Sequence, residues 1–257
     1  MSRIGKLFED KKKDVLNVYF TAGYPFLDST VPVMKSLQDA GADMIELGMS
    51  YSDPLADGPV IQASATTALA NGMTLKKLFE QLKQFRTHIH VPVLLMGYMN
   101  PVLQFGFEEF CREASVAGID GLILPDLPMY EYEKEFGAII KRHGLDFVFL
   151  VTPETDEERV KKLDGISSGF LYAVSSSSTT GKNASIDTQE SYFKRLRSMK
   201  LKNPVLIGFG IKDKESFSIA CSHANGAIIG TAFIRLLGDT SRTELPAAVN
   251  QFVKSIR

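Results

Sequence analysis

The sequence predicts an α/β protein, a single (β/α)8 TIM barrel with an extra N-terminal helix and a short helix after strand 8. Three observations carry that expectation. Eight short runs rich in Val, Ile, Leu and Phe recur along the chain, helix-period segments separate them, and 257 residues over eight units leave about 32 per repeat. The runs are apolar throughout rather than alternating, as expected of parallel strands covered on both faces. Parallel neighbours need helical crossovers, and this count favours a closed barrel over a doubly wound sheet.

In chain order, residues 2–11 read as the extra helix. The strands then fall at 15–20, 44–48, 92–98, 121–125, 146–151, 169–175, 204–210 and 226–231. Helices fill 29–40, 60–88, 106–117, 130–143, 156–164, 187–199, 213–223 and 243–256, and the last strand runs straight into a short apolar helix, Ala232-Phe233-Ile234-Arg235-Leu236-Leu237. No Ser/Gly linker, charge block or low-complexity stretch marks a boundary, so residues 1–257 read as one domain.

Composition narrows the function. With 29 Lys+Arg against 30 Asp+Glu, the net charge is −1, which speaks against coating nucleic acid or an anionic membrane. No stretch approaches the roughly 20 apolar residues of a membrane span. The charged opening residues contain no apolar run of signal-peptide length, and a cytoplasmic location is expected. Cys111 and Cys221 fall in helix-like segments and read as thiols without a catalytic role.

In a barrel the chemistry gathers at the carboxyl ends of the strands. The eight runs hold no Lys, Arg or His, and Glu46 is the one ionisable acid or base well within a strand. A carboxylate among aliphatic neighbours at the barrel rim, with no strand cation to pair it, should be pushed up by desolvation toward neutrality, where one group gives and takes protons. The following turn adds Asp53 and Asp57; Asp53 suits backbone bonding within the turn, while Asp57, before Gly58-Pro59, is placed to lean over the mouth. Asp126, after the fourth strand, fits either a turn or a site.

Glycine-bearing turns follow the last three strands: Thr180-Gly181, Gly208-Phe209-Gly210 and Gly230-Thr231. Close-approaching backbone and a short helix start suit a phosphate group held without basic side chains. A Schiff-base aldolase would need a strand lysine, and metal chemistry would need clustered ligands, whereas His88, His90, His143 and His223 lie in or beside helical segments. What remains is carboxylate acid/base work on a phosphorylated substrate that supplies its own electron sink, with no metal.

The stretch Glu46-Leu-Gly-Met-Ser-Tyr-Ser-Asp-Pro-Leu-Ala-Asp-Gly-Pro59 resembles the signature of the tryptophan synthase alpha subunit. So do Tyr19-Phe20-Thr21-Ala22-Gly23-Tyr24-Pro25, Gly97-Tyr98-Met99-Asn100-Pro101, Pro125-Asp126-Leu127-Pro128, Phe170-Leu171-Tyr172, Gly208-Phe209-Gly210-Ile211 and Gly230-Thr231-Ala232, spread over essentially the whole chain. The resemblance implies retro-aldol cleavage of indole-3-glycerol phosphate to indole and glyceraldehyde 3-phosphate. It implies Glu46 as the acid/base and Asp57 as the group that holds the indole N–H. It further implies a substrate pocket of Tyr19, Thr21, Leu95, Ile123, Tyr172 and Thr180, and a phosphate site of Gly181, Gly210, Gly230 and Thr231. The loops after the second and sixth strands resemble the family's mobile lids. Ser50, where the family commonly has proline, and the serines at 175–178 depart from its pattern.

The same resemblance implies a tryptophan synthase beta subunit as partner, in an alpha2beta2 heterotetramer. Pyridoxal phosphate is expected only in that partner, with no cofactor in this chain. Tyr51, Pro54, Met99, Asn100 and Pro101 are the expected exposed contact patch. A free-standing indole-glycerol-phosphate lyase and a non-catalytic activating subunit are the rival readings.

Overall fold

The computed structural model describes residues 2–174, 186–208 and 210–257. Nine parallel strands are seen among them: β1 (Val15–Thr21), β2 (Met44–Gly48), β3 (Val93–Met96), β4 (Gly121–Ile123), β5 (Asp146–Phe147), β6 (Leu150–Val151), β7 (Leu171–Val174), β8 (Val205–Gly208) and β9 (Gly226–Ile229). Every expected run contains a strand. The fifth contains two, which stand at opposite ends of the sheet order β5-β4-β3-β2-β1-β9-β8-β7-β6. The two residues between them join those ends: Val148 N–H donates to Leu122 O of β4 at 3.0 Å, and Phe149 O accepts from Tyr172 N–H of β7 at 3.0 Å. The ladder thus passes from one neighbour to the other within one dipeptide, and the sheet closes into a barrel with helices outside.

Two expected helical segments are organised differently. Residues 60–88 form two helices, Pro59–Ala70 and Leu75–Leu82, and a single turn, Phe85–Thr87. Asn71-Gly72 stops the first, with Gly72 at φ 93°, and the Thr74 hydroxyl caps the second by accepting from Lys77 N–H at 3.1 Å. After β3, Met99–Phe105 is a helix in place of a loop, separated by Gly106 from Phe107–Ala117. Asp126 holds its start, both carboxylate oxygens accepting from Met99 N–H at 3.0 Å.

Register fixes which side chains meet inside. Asn17, Tyr19 and Thr21 pair with Met44, Glu46 and Gly48, and Glu46 and Gly48 pair in turn with Leu94 and Met96. Paired residues of neighbouring strands face the same way, so these positions share the inner face, and Leu95 has the opposite parity.

The N-terminal helix, Arg3–Asp10, closes the amino end. Ile4 and Phe8 are buried, Phe8 packs 6.4 Å from Phe170, and Arg3 pairs with Asp120 at 2.9 Å. Asp120 also pairs with Arg86 and accepts from Val93 N–H at 2.8 Å. Asp120→Ala strands these donors and is expected to lower stability by about 2–4 kcal/mol. Urea denaturation checks this, with turnover of the folded variant unchanged because the cluster lies at the end opposite the mouth.

Candidate active site

At the carboxyl ends of the strands a cavity of about 240 Å³ opens. Tyr19 of β1, Met96 of β3, Tyr172 of β7 and Ile228 of β9 line its inner part, with Asp57 and Ile61 on one wall. Gly210, Gly230 and Thr231 line another part, with Ile211, Lys212, Ala232 and Arg235 beside them. One end is therefore aromatic and aliphatic, and the other is glycine-rich with two cations near.

Glu46 lies deeper than the rim where the sequence places it. It is 0% exposed, on the inner face beside Tyr19, and it does not form part of the cavity wall. Its Oε1 accepts from Nδ2 of Asn17 at 2.5 Å, and both Glu46 Oε2 and Asn17 Oδ1 are buried without a hydrogen-bond partner among the described residues. Burial pushes the carboxyl up to about 8, opposed only by the Asn17 bond. Glu46 in turn adds to the forces that hold the buried Tyr19 and Tyr172 hydroxyls protonated. Two glycines make room for those hydroxyls: a Cβ on Gly48 would collide with the Tyr19 hydroxyl, and one on Gly208 with that of Tyr172.

Asp57 is brought in by the loop after β2, which is pinned to the chain beyond β3. Tyr98 OH donates to Asp57 Oδ2 at 3.0 Å and accepts from Ala56 N–H at 3.0 Å. Gln62 Nε2 donates to Asp57 O at 2.8 Å, while Tyr51 stacks on Tyr98 with centroids 5.6 Å apart and accepts from Asn100 Nδ2 at 2.9 Å. Burial raises the Asp57 carboxyl to about 6 against the lowering effect of the Tyr98 bond. Ser50 gives this loop a weak tether, its hydroxyl lying 3.5 Å from Ala22 O. Asp53 bonds the neighbouring Ser52 hydroxyl, as a turn former would.

Thr231 begins the helix Thr231–Gly238, whose first bond runs from Ile234 N–H to Gly230 O at 3.0 Å. The N–H groups of the opening turn precede any intrahelical partner, and together with the helix dipole they suit an anion. Gly210, at φ 79°, borders the same space.

The structure thus gathers Tyr19, Asp57, Tyr172, Gly210, Gly230 and Thr231 around one cavity, with Glu46 beneath it. Thr21 and Ile123 are buried on the inner face outside the wall, and Thr21 bonds the Ser64 hydroxyl at 2.6 Å. Leu95 faces outward, and its neighbour Met96 occupies the wall instead. Thr180, Gly181 and the serines at 175–178 lie outside the described residues. In the expected partner patch Pro54 and Met99 are buried, whereas Leu55 is 88% exposed. Asn17, Met96, Lys212 and Arg235 escaped the sequence reading. Lys212 and Arg235 lie off the strands, but their places two residues past Gly210 and one helical turn past Thr231 are a signal the sequence does carry.

Fold and site define a (β/α)8-barrel enzyme with raised carboxylates inside and an anion-receptive rim. Residues 6–255 match the family model described as tryptophan synthase alpha chain, and the chain belongs to that family. It is 50% identical to the tryptophan synthase alpha chain of Bacteroides thetaiotaomicron over 95% of this chain and 96% of that one. It is likewise 50% identical to that of Flavobacterium psychrophilum over the full length of both. The crystal structure of the alpha subunit from Legionella pneumophila superposes with a TM-score of 0.90 at 34% identity, covering 100% of this chain and 97% of that chain.

Two expectations follow. Gly208→Ala drives the Tyr172 hydroxyl from its seat and should reduce kcat/KM about tenfold, read by steady-state assay. Glu46 is raised from 4.5 to about 8, so the folded chain keeps a proton that the unfolded chain releases. Its contribution to stability is complete below 4.5 and lost as pH rises through about 8. Glu46→Gln carries no such proton, and its melting temperature should climb relative to wild type over that window and then level off.

Proposed function

We propose that Glu46 and Asp57 carry the reaction of the tryptophan synthase alpha chain, the lyase cleavage of indole-3-glycerol phosphate. The observation that supports this best is a fully buried carboxyl without a cationic partner among the described residues, raised to about 8, directly under a cavity with one aromatic end and one anion-receptive end. At neutral pH Glu46 is mostly protonated and can act as an acid without a metal or lysine. To meet the substrate the carboxyl has to turn from Asn17 toward the cavity, on whose wall its register neighbour Tyr19 lies.

The Glu46 acid gives its proton to the indole carbon that bears the side chain, leaving a cationic ring. Its carboxylate then takes the proton of the adjacent hydroxyl. As that O–H pair becomes the new carbonyl bond, the carbon–carbon bond breaks, and its electron pair returns to the ring. Indole and glyceraldehyde 3-phosphate form, and Glu46 ends protonated, as it began. Each well-placed proton transfer is worth on the order of 10² to 10⁴ in rate. Asp57, charged above about 6, accepts the ring N–H and offsets the positive charge that develops there. Gly210, Gly230 and Thr231 offer backbone N–H groups to the phosphate, and Lys212 and Arg235 add positive potential at that end.

Members of this family work with a beta subunit. The surface suited to that contact is exposed Leu55 and Asn100 with half-buried Tyr51 and Pro101, on the loop after β2 and the helix linked to it. Pyridoxal phosphate belongs to that partner in this reading; no described strand of this chain carries a lysine to hold it. No described helix is long and apolar enough to cross a membrane, which accords with a cytoplasmic biosynthetic role.

The kcat profile should be bell-shaped, rising as Asp57 ionises near 6 and falling as Glu46 loses its proton near 8. Glu46→Gln should abolish cleavage while retaining substrate binding, and unchanged turnover removes Glu46 from the reaction. Indole release should rise when beta subunit is added; strong unaided release that the partner leaves unaltered would favour the free lyase.

A further inference from the structure

Asn17 stands in the middle of β1, 0% exposed, between Met44 of β2 and Ile228 of β9 in the sheet register. Aliphatic surroundings of this kind make an amide costly unless it is bonded, and here Oδ1 has no partner among the described residues. Its one side-chain bond goes to Glu46 Oε1 at 2.5 Å, and Oε2 of the same carboxyl is equally without a partner. A branched aliphatic residue would fill the position at lower cost. The amide therefore stands where its sole described interaction is with the acid.

An amide differs from other neutral partners in one respect. A half-turn about its terminal torsion exchanges a donor for an acceptor in the same place. A carboxylate needs a donor, and a carboxylic acid needs an acceptor for its O–H. We propose that Asn17 is the positioning residue of Glu46: Nδ2–H holds the carboxylate and, after the half-turn, Oδ1 holds the acid, so the side chain returns to one seat whichever state it is in. This rests on the reading of Glu46 as the acid/base of the reaction. The other titratable groups about Glu46 are Tyr19 of β1 and Tyr172 of β7, whose hydroxyls feel its charge, and beyond them Asp57 of the loop after β2, which acts on the same two hydroxyls. All three are neutral or anionic, so Asn17 is the polar group among the described residues that steadies the charged state.

The test compares Asn17→Leu, which removes donor and acceptor, with Asn17→Ser, which keeps a hydroxyl able to play both parts. Cleavage of indole-3-glycerol phosphate is followed against pH with the full chain and its beta subunit, beside Glu46→Gln. For Asn17→Leu, kcat should fall about tenfold or more with KM changed less than about threefold, and the alkaline limb should move up by about one pH unit as the carboxylate loses its donor. Asn17→Ser should recover part of both effects. Infrared difference spectra should place the carboxyl C=O band of Asn17→Leu away from its wild-type position. A wild-type rate and limb in Asn17→Leu would overturn the proposal while an inactive Glu46→Gln leaves the acid/base reading standing. An active Glu46→Gln would overturn both. If Asn17→Leu does not fold, Asn17→Ala, which removes donor and acceptor without adding bulk, decides: a raised limb with lower kcat supports the proposal, and a wild-type limb and rate overturn it.

Discussion

A carboxyl enclosed in a barrel, with no counter-cation among the described residues, is the constraint around which the rest of this molecule is arranged. Charging Glu46 costs free energy because no described cation repays the lost hydration, and its single described bond, to a neutral amide, lowers that cost only in part. The surrounding design keeps the group in that condition. Among the described residues, the positively charged side chains nearest the barrel's interior are held at its two ends, Arg3 and Arg86 below and Lys212 and Arg235 above, so an acid with access to both states persists between them. A guanidinium beside Glu46 would make the fold easier to stabilise and the side chain a permanent anion.

The cavity separates two tasks. Tyr19, Tyr172, Met96 and Ile228 provide an apolar, close-fitting end with few competing hydrogen bonds, suited to an aromatic ring. Backbone at Gly210 and the start of the helix Thr231–Gly238 are suited to an anion. Asp57 sits on a loop held by Tyr98, Gln62 and the Tyr51–Asn100 contact, so its carboxylate is placed by neighbours drawn from beyond β3. Surface that suits a partner subunit thus lies on the same linked loops that seat a proposed catalytic group.

Much of the fold was legible because strand burial leaves a plain signal. Continuous apolar runs at even intervals pointed to parallel strands, and the barrel's mouth followed from the fold. Glu46 was visible because an acid in Met44-Ile45-Glu46-Leu47-Gly48 breaks the pattern. Its depth was not visible, since periodicity distinguishes faces but not layers, and the carboxyl proved to sit below the wall. Leu95 and Met96 show the same limit at the finest scale: one residue of register exchanges the inside for the outside. The helix at Met99–Phe105 was missed because its start is secured by Asp126, a residue distant in sequence. Asn17 was passed over because one polar residue in a strand looks ordinary until its neighbour is known to be an acid.

The way the sheet closes bears on how the chain is made. Val15 of β1 pairs with Gly226 of β9, and Val15 N–H bonds Asn225 O, so the first strand finds its second neighbour only when β9 has been synthesised. Until then β1, buried at every position in the finished barrel, presents an open edge to whatever else is in solution. During translation the first strand is therefore open to wrong pairing until the last strand has emerged, and a chaperone that shields it would have to stay until then.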